Sequence, residues 1–148
     1  MFFIETIDKV PKDEKLMHLK AVYFVRCTEE NLQKISHQIS EPAFSSYHLF
    51  FSSTVHNEQI KRLAEADVHN TVSQVQELFA DFQVINSDLF TLDLQNSLNL
   101  GGSSISQQTQ FNRVVEGIFG VCMATRAHPL IRYEQKSPIC SRIADCLR

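Results

Sequence analysis

Leu19-Lys-Ala-Val-Tyr-Phe-Val-Arg26 and Tyr47-His-Leu-Phe-Phe-Ser-Ser53 are the two stretches of this sequence that decide its fold class. Inside the first, the run 21–25 holds no residue that would turn toward water. Such a run is typical of a strand that is covered on both faces, as in a parallel sheet with helices above and below. The sequence therefore predicts an α/β fold with a mainly parallel sheet and helices on both of its faces.

The segment between these two strands has the pattern of an amphipathic helix. Thr28 is a suitable N-cap, and Leu32, Ile35 and Ile39 recur at helical spacing. Two further helices are predicted after the second strand, one around Ile60 and one over 72–79. Other strands are predicted at 2–4, 82–85, 90–94 and 129–133, and a last helix at 139–147. Strands that alternate with helices indicate βα units and a mainly parallel sheet.

The domain organisation follows from a change of composition after residue 94. Residues 95–110 are polar and contain Gly101-Gly102, which is typical of a linker. A new apolar helix is predicted to begin near Phe111, with Gly117 and Gly120 placed for close packing. We therefore expect one domain over 1–94, a linker over 95–110 and the beginning of a second α/β domain over 111–148.

Composition excludes several functional classes. The chain has 148 residues and a net charge of −3, and its basic residues form no block, so nucleic acid is not an expected partner. No apolar stretch approaches the roughly 18 residues that span a bilayer, so direct membrane insertion is not expected either. The four cysteines form no C-x-x-C pair, and the histidines lack metal-ligand spacing. No metal, cofactor or small-molecule substrate is predicted.

An enzyme of this fold class remains an alternative at this point. Phosphate-binding and nucleophile-elbow motifs are absent from the sequence. Cys27 follows a strand and precedes a helix, a position that lowers the pKa of a thiol, and His48 is the one tempting partner for it. A structural role for both residues is the simpler interpretation.

The predicted helices over 57–79 offer more apolar surface than one sheet face needs. Ile60 and Leu63 lie on the first helix, and Val75 and Leu78 lie on the second, with Val55 at the rim. These side chains are either ordinary core residues or the lining of a groove that accepts an apolar peptide side chain. Periodicity alone does not separate the two interpretations.

Five blocks carry a resemblance to a known family. They are His18-Leu-Lys-Ala-Val-Tyr-Phe-Val-Arg-Cys-Thr-Glu-Glu-Asn31, Tyr47-His-Leu-Phe-Phe-Ser-Ser53, Leu63-Ala-Glu-Ala-Asp67, Asp88-Leu-Phe-Thr-Leu-Asp93 and Pro129-Leu-Ile-Arg-Tyr133. In order and spacing they resemble the SM proteins, the syntaxin-binding regulators of SNARE-mediated membrane fusion. The block 63–67 together with Val75-Gln-Glu-Leu-Phe-Ala-Asp-Phe82 most resembles the vacuolar-sorting branch of that family. The chain departs from the usual pattern at Cys27 and Ser53, where the family commonly has Pro and Asn. Neither change removes a group that binding needs.

The resemblance implies an adaptor without catalysis, whose partner is a syntaxin-type Qa SNARE and the N-terminal peptide of that SNARE. Matched residue by residue, the outer peptide pocket falls on Val55, Ile60, Leu63, Val75, Glu77 and Leu78. Glu77 is expected to attract a basic residue or the terminal amine of the peptide. The implied location is the cytoplasm, at Golgi or endosomal membranes through the SNARE partner.

Family proteins are several times longer than this chain. Their first domain opens with a strand and a helix that precede Phe2, and a later domain completes the syntaxin-holding cleft. The resemblance therefore implies truncation at both ends. A non-functional or partial product of such a gene is the corresponding alternative.

Overall fold

The computed structural model describes Ile7 and the residues 15–94 and 104–148. They fall into two compact units, Met1–Leu78 and Phe79–Arg148. The predicted strand at 2–4 lies outside the described residues. The elements in chain order are β1 Leu16–Val25, α1 Glu29–Ser40, β2 Phe44–Phe51, α2 Asn57–Ala66, β3 Val72–Glu77, β4 Gln83–Asn86, β5 Leu89–Thr91, α3 Ile105–Thr125 and α4 Pro138–Cys146.

The first unit is built on a parallel sheet with the strand order β1-β2-β3. Tyr23 pairs with Leu49, and Leu49 pairs with Val75, so one row of side chains crosses the three strands. α1 connects β1 to β2, and α2 connects β2 to β3, which makes two consecutive βαβ units. The predicted α/β fold with a parallel sheet is confirmed.

One face of this sheet forms the core. Side chains from β1 and β2 meet the buried face of α1 and one residue of α2 there; they are Ala21, Tyr23, Tyr47, Leu49, Phe51, Leu32, Ile35, Ile39 and Leu63. α1 begins where the sequence predicts, because the Thr28 hydroxyl accepts a hydrogen bond from the Asn31 N–H at 3.2 Å. Burial in this core raises the pKa of the Tyr23 hydroxyl, and nearby Tyr47 adds to the shift.

Within the first unit, the described helices do not cover the opposite face of the sheet. Val22 is 67% exposed and Phe24 is 58% exposed. Helices are predicted on both faces, whereas α1 and α2 both contribute to the core on one face of the first unit's sheet. An apolar run shows that both faces of a strand are apolar, but not that both are buried.

The segment 72–79 is a strand where the sequence predicted a helix. Val72, Val75 and Phe79 recur at helical spacing, yet β3 occupies Val72–Glu77 and pairs with β2, with a register shift between Val72 and Gln74. The polar residues Gln74 and Gln76 alternate with Val75 and Glu77, which suits an edge strand of a sheet. Tertiary pairing with β2 thus overrides an accidental helical period.

The second unit opens with β4 and β5, which form an antiparallel pair with Gln83 opposite Thr91. Both strands were predicted, but they form a sheet of their own. Residues 129–133 have no regular structure, so the predicted strand there is wrong. α4 confirms the predicted last helix.

α3 begins earlier than predicted. The Ser104 hydroxyl caps it by accepting a hydrogen bond from the Gln107 N–H at 3.3 Å, so the predicted linker residues 105–110 are helical, and 95–103 lie outside the described residues. A Cβ on Gly120 would lie 3.1 Å from the Phe79 carbonyl oxygen, and one on Gly117 would collide with the Leu92 side chain. This close approach groups 79–94 with α3, so the compact units divide earlier than the domain boundary predicted at residue 94.

Candidate functional site

α2 carries two of the residues assigned to the peptide pocket, and they have different environments. Leu63 is 3% exposed and belongs to the core, whereas Ile60 is 43% exposed. The helix is fixed at its start by Gln59, whose Oε1 accepts a hydrogen bond from the His56 N–H at 2.8 Å. α2 therefore buries Leu63 in the core and leaves Ile60 partly exposed to solvent.

The end of β3 supplies the other apolar surface of the candidate site. Val75 and Leu78 are each 41% exposed. Val75 pairs with Leu49, so its side chain lies on the sheet face that also holds the core. The Leu78 N–H donates to the Phe51 carbonyl oxygen at 2.8 Å, which continues the ladder one residue past the strand. The second of the two helices predicted to line the groove is therefore a strand.

Val55 and Glu77 are brought into direct contact. The Val55 N–H donates a hydrogen bond to Glu77 Oε1 at 2.6 Å. The Val55 side chain is 7% exposed and packs in the core, and Glu77 is half-buried. One oxygen of the carboxylate that was predicted to attract the peptide is therefore engaged with the chain itself.

An ion pair fixes α2 against α1. Arg62 donates from both of its terminal nitrogens to the Glu29 carboxylate, each at 2.8 Å. These hydrogen bonds, together with one from Gln33, lower the pKa of Glu29, and the same pairing raises the pKa of Arg62. Both side chains are exposed, so the pair sets orientation more than it adds stability.

Asp67 organises the turn between α2 and β3, and sequence reasoning missed this role. Its Oδ1 accepts from the Thr71 N–H at 2.7 Å and its Oδ2 from the Val72 N–H at 2.9 Å. Burial alone would raise the pKa of Asp67, but the hydrogen bonds from Val72 and Thr71 outweigh burial and lower it. An Asp shortly before a Thr at a strand start is the available sequence signal for such a turn.

The enzyme alternative gains no support from the geometry. The Cys27 thiol donates to Gln59 Oε1 at 3.3 Å, while His48 Nδ1 lies 3.3 Å from Gln74 Oε1. Each of the two side chains thus contacts a glutamine. Within the described ranges, no cluster of three or more His, Cys, Asp or Glu side chains is placed to hold a metal ion.

Comparison with known proteins then decides the family. The model of the Sec1 family matches residues 3–148, which is nearly the whole chain. This chain belongs to the Sec1 family. The assignment confirms the resemblance to SM proteins that the five sequence blocks indicated.

Two relatives and one solved structure show the branch. Vacuolar protein sorting-associated protein 45 of Dictyostelium discoideum is 38% identical over 98% of this chain, which covers 25% of that protein. The homologue in Arabidopsis thaliana is 40% identical over 97% of this chain, which covers 26% of that protein. A structure of the SM protein Vps45 in complex with the Qa SNARE Tlg2 (1-310) superposes with a TM-score of 0.85 at 38% identity, over 95% of this chain and 26% of that one.

The resemblance to the vacuolar-sorting branch is therefore confirmed, and the chain spans about a quarter of the length of these relatives. None of the helices in the described part of this Sec1-family chain is long and apolar enough to cross a membrane.

Proposed function

We propose that this chain is the SNARE-binding part of a regulator of vesicle docking and fusion in intracellular protein transport. Its partner is a syntaxin-type Qa SNARE, and it carries no catalytic activity of its own. The observation that carries the proposal is the likeness to Vps45, which has been solved in complex with the Qa SNARE Tlg2. The protein acts in the cytoplasm, at Golgi or endosomal membranes, through that partner.

The peptide-binding surface is formed by Ile60, Val75 and Leu78, supported by Val55, Leu63 and Glu77. The first three are partly exposed apolar side chains, which is what the burial of an apolar peptide residue needs. Leu63 lies in the core and supports the surface from beneath. Full burial of one anchor side chain stabilises a complex by about 1.5–3 kcal/mol, so this surface gives modest affinity and relies on neighbouring contacts.

A binding measurement on two matched variants tests the proposal. A fluorescent peptide that covers the N-terminal segment of Tlg2 is titrated with the chain, and anisotropy gives the Kd. Ile60→Arg places a charge on the proposed surface, so we expect affinity to fall by about tenfold or more, the loss of one buried anchor.

Val22→Arg is the control, because Val22 is an exposed aliphatic residue on the opposite sheet face. It should bind the peptide as the unmodified chain does. If Ile60→Arg and the unmodified chain bind the peptide equally well, the proposed peptide-binding surface is wrong. No binding by the unmodified chain would favour a partial, inactive product.

A further inference from the structure

The short hydrogen bond between Glu77 and Val55 joins two parts of the proposed peptide surface that are far apart in sequence. The Glu77 carboxylate stands at the last residue of β3, and the Val55 N–H lies in the loop between β2 and α2. A carboxylate that accepts a backbone N–H forms a charge-assisted bond, which is stronger than a bond between neutral groups. Glu77 thus ties the sheet edge to the segment that enters α2.

The loop is also held near β2, where the Ser53 hydroxyl accepts a hydrogen bond from the Cys27 N–H at 3.1 Å, whereas the bond to Glu77 acts at the end nearest α2. Val55 directly precedes His56, the N-cap of α2, and Ile60 follows one turn later. The buried Val55 side chain fixes one side of the loop, and the bond to Glu77 fixes its backbone. A shift of this loop would move the start of α2 and Ile60 with it.

We propose that Glu77 is a positioning residue of the peptide surface, which acts as a hydrogen-bond acceptor for Val55 and not as a charge that attracts the peptide. The inference rests on the proposed function and deepens it. It replaces the expectation that Glu77 attracts a basic residue or the terminal amine. The pairing of Glu77 with Phe51, on the core face of the sheet, supports this role.

Two substitutions separate the roles, because glutamine keeps an acceptor oxygen and loses the charge, whereas alanine loses both. With the Tlg2 N-terminal peptide as probe, we expect Glu77→Gln to bind within about twofold of the unmodified chain. We expect Glu77→Ala to lose about tenfold, the usual effect of one hydrogen bond to a charged group. Glu58→Gln, which neutralises an exposed carboxylate on α2, is the matched control for charge.

Two further readouts sharpen the test, and the second does not depend on the folding of Glu77→Ala. Amide hydrogen exchange at Val55 should accelerate in Glu77→Ala and stay protected in Glu77→Gln. Acetylation of the peptide's terminal amine should change affinity by the same factor for the unmodified chain and for Glu77→Gln.

Each outcome decides between the two roles. If Glu77→Gln loses as much affinity as Glu77→Ala, or if acetylation matters only when Glu77 is charged, the positioning role is wrong and the charge acts directly. If the unmodified chain fails to bind the peptide, the proposed function fails instead. Exchange at Val55 would still report in that case whether Glu77 fixes the loop.

Discussion

At the residue scale, Asp67 shows how one side chain places a strand. It satisfies the backbone N–H groups of Thr71 and Val72, where β3 begins, and the hydroxyl of Thr71 donates to it as well. Asn70, inside the turn, has a positive φ of 53°, which Asn tolerates better than most residues. The turn is thus stabilised by the Asp67 carboxylate, which accepts these hydrogen bonds, and by an Asn that tolerates a positive φ.

Replacing Asp67 by Asn should destabilise the chain by about 1–3 kcal/mol at neutral pH, because an amide has only one acceptor atom for the two backbone donors. The folded-state pKa of Asp67 is lowered, so its contribution is complete above the unfolded pKa of about 3.9. It is lost as the pH falls through the folded pKa. Urea unfolding at several pH values should show that the difference in unfolding free energy between the unmodified chain and Asp67→Asn becomes smaller in acid.

Asp88→Asn is the control, because Asp88 is exposed in the turn between β4 and β5. It should leave the free energy of unfolding nearly unchanged at neutral pH. If the difference in unfolding free energy between Asp67→Asn and the unmodified chain stays the same in acid, the role given to the ionised carboxylate is contradicted.

At the element scale, the packing of α3 depends on a glycine that the sequence marked for close approach. Gly120 is buried, and a Cβ there would lie 3.1 Å from the Phe79 carbonyl oxygen. Phe79 itself has a positive φ of 48° and its ring meets Phe119 edge-on. The backbone at Phe79 is therefore poorly able to move away from a side chain larger than that of Gly120.

Gly120→Val should destabilise the second unit by about 1–3 kcal/mol, because the added methyl groups overpack the contact with Phe79. Helix propensity does not explain such a loss, since valine is the better helix former of the two. Thermal unfolding measures the effect. The control is Ala124→Val, at an exposed position of the same helix, which should cost only a few tenths of a kcal/mol. A similar loss of stability in both variants would contradict the role of the Gly120–Phe79 contact.

At the scale of the whole molecule, the sheet face that the described helices of the first unit leave open has the largest physical consequence. Val22 and Phe24 point away from the core, and Phe50 pairs with Phe24 on the same side. β1 stands at one end of the described sheet, so this apolar face reaches a strand edge. Apolar sheet surface next to an edge promotes association between copies of a chain.

Phe24→Lys should raise the protein concentration at which light scattering begins, because a charge on this face opposes association. Val68→Lys is the comparison, since Val68 is 74% exposed but lies in the turn after α2, away from the sheet face. We expect Val68→Lys to raise the concentration at which scattering begins by clearly less than Phe24→Lys does. Equal effects of the two lysines would mean that net charge, and not this face, controls association.

The sequence by itself determined the elements whose signals are local. The Thr28 cap and the spacing of Leu32, Ile35 and Ile39 specify α1, and the apolar runs specify β1 and β2 as strands of a parallel sheet. The ordered blocks along the chain were enough to identify the family. These features depend on neighbouring residues, so they are readable without coordinates.

Only the tertiary structure decided what depends on residues distant in the chain. Pairing with β2 makes 72–77 a strand. The packing of α1 and α2 on one side of the sheet leaves Val22 and Phe24 exposed. The Glu77 carboxylate meets the Val55 N–H, which is 22 residues away in the chain. Of the six residues predicted to line the peptide pocket, Ile60, Val75 and Leu78 keep open surface, while Val55 and Leu63 belong to the core. Hydrophobic spacing specifies which side chains avoid water, but the pairing of strands specifies which of them meet.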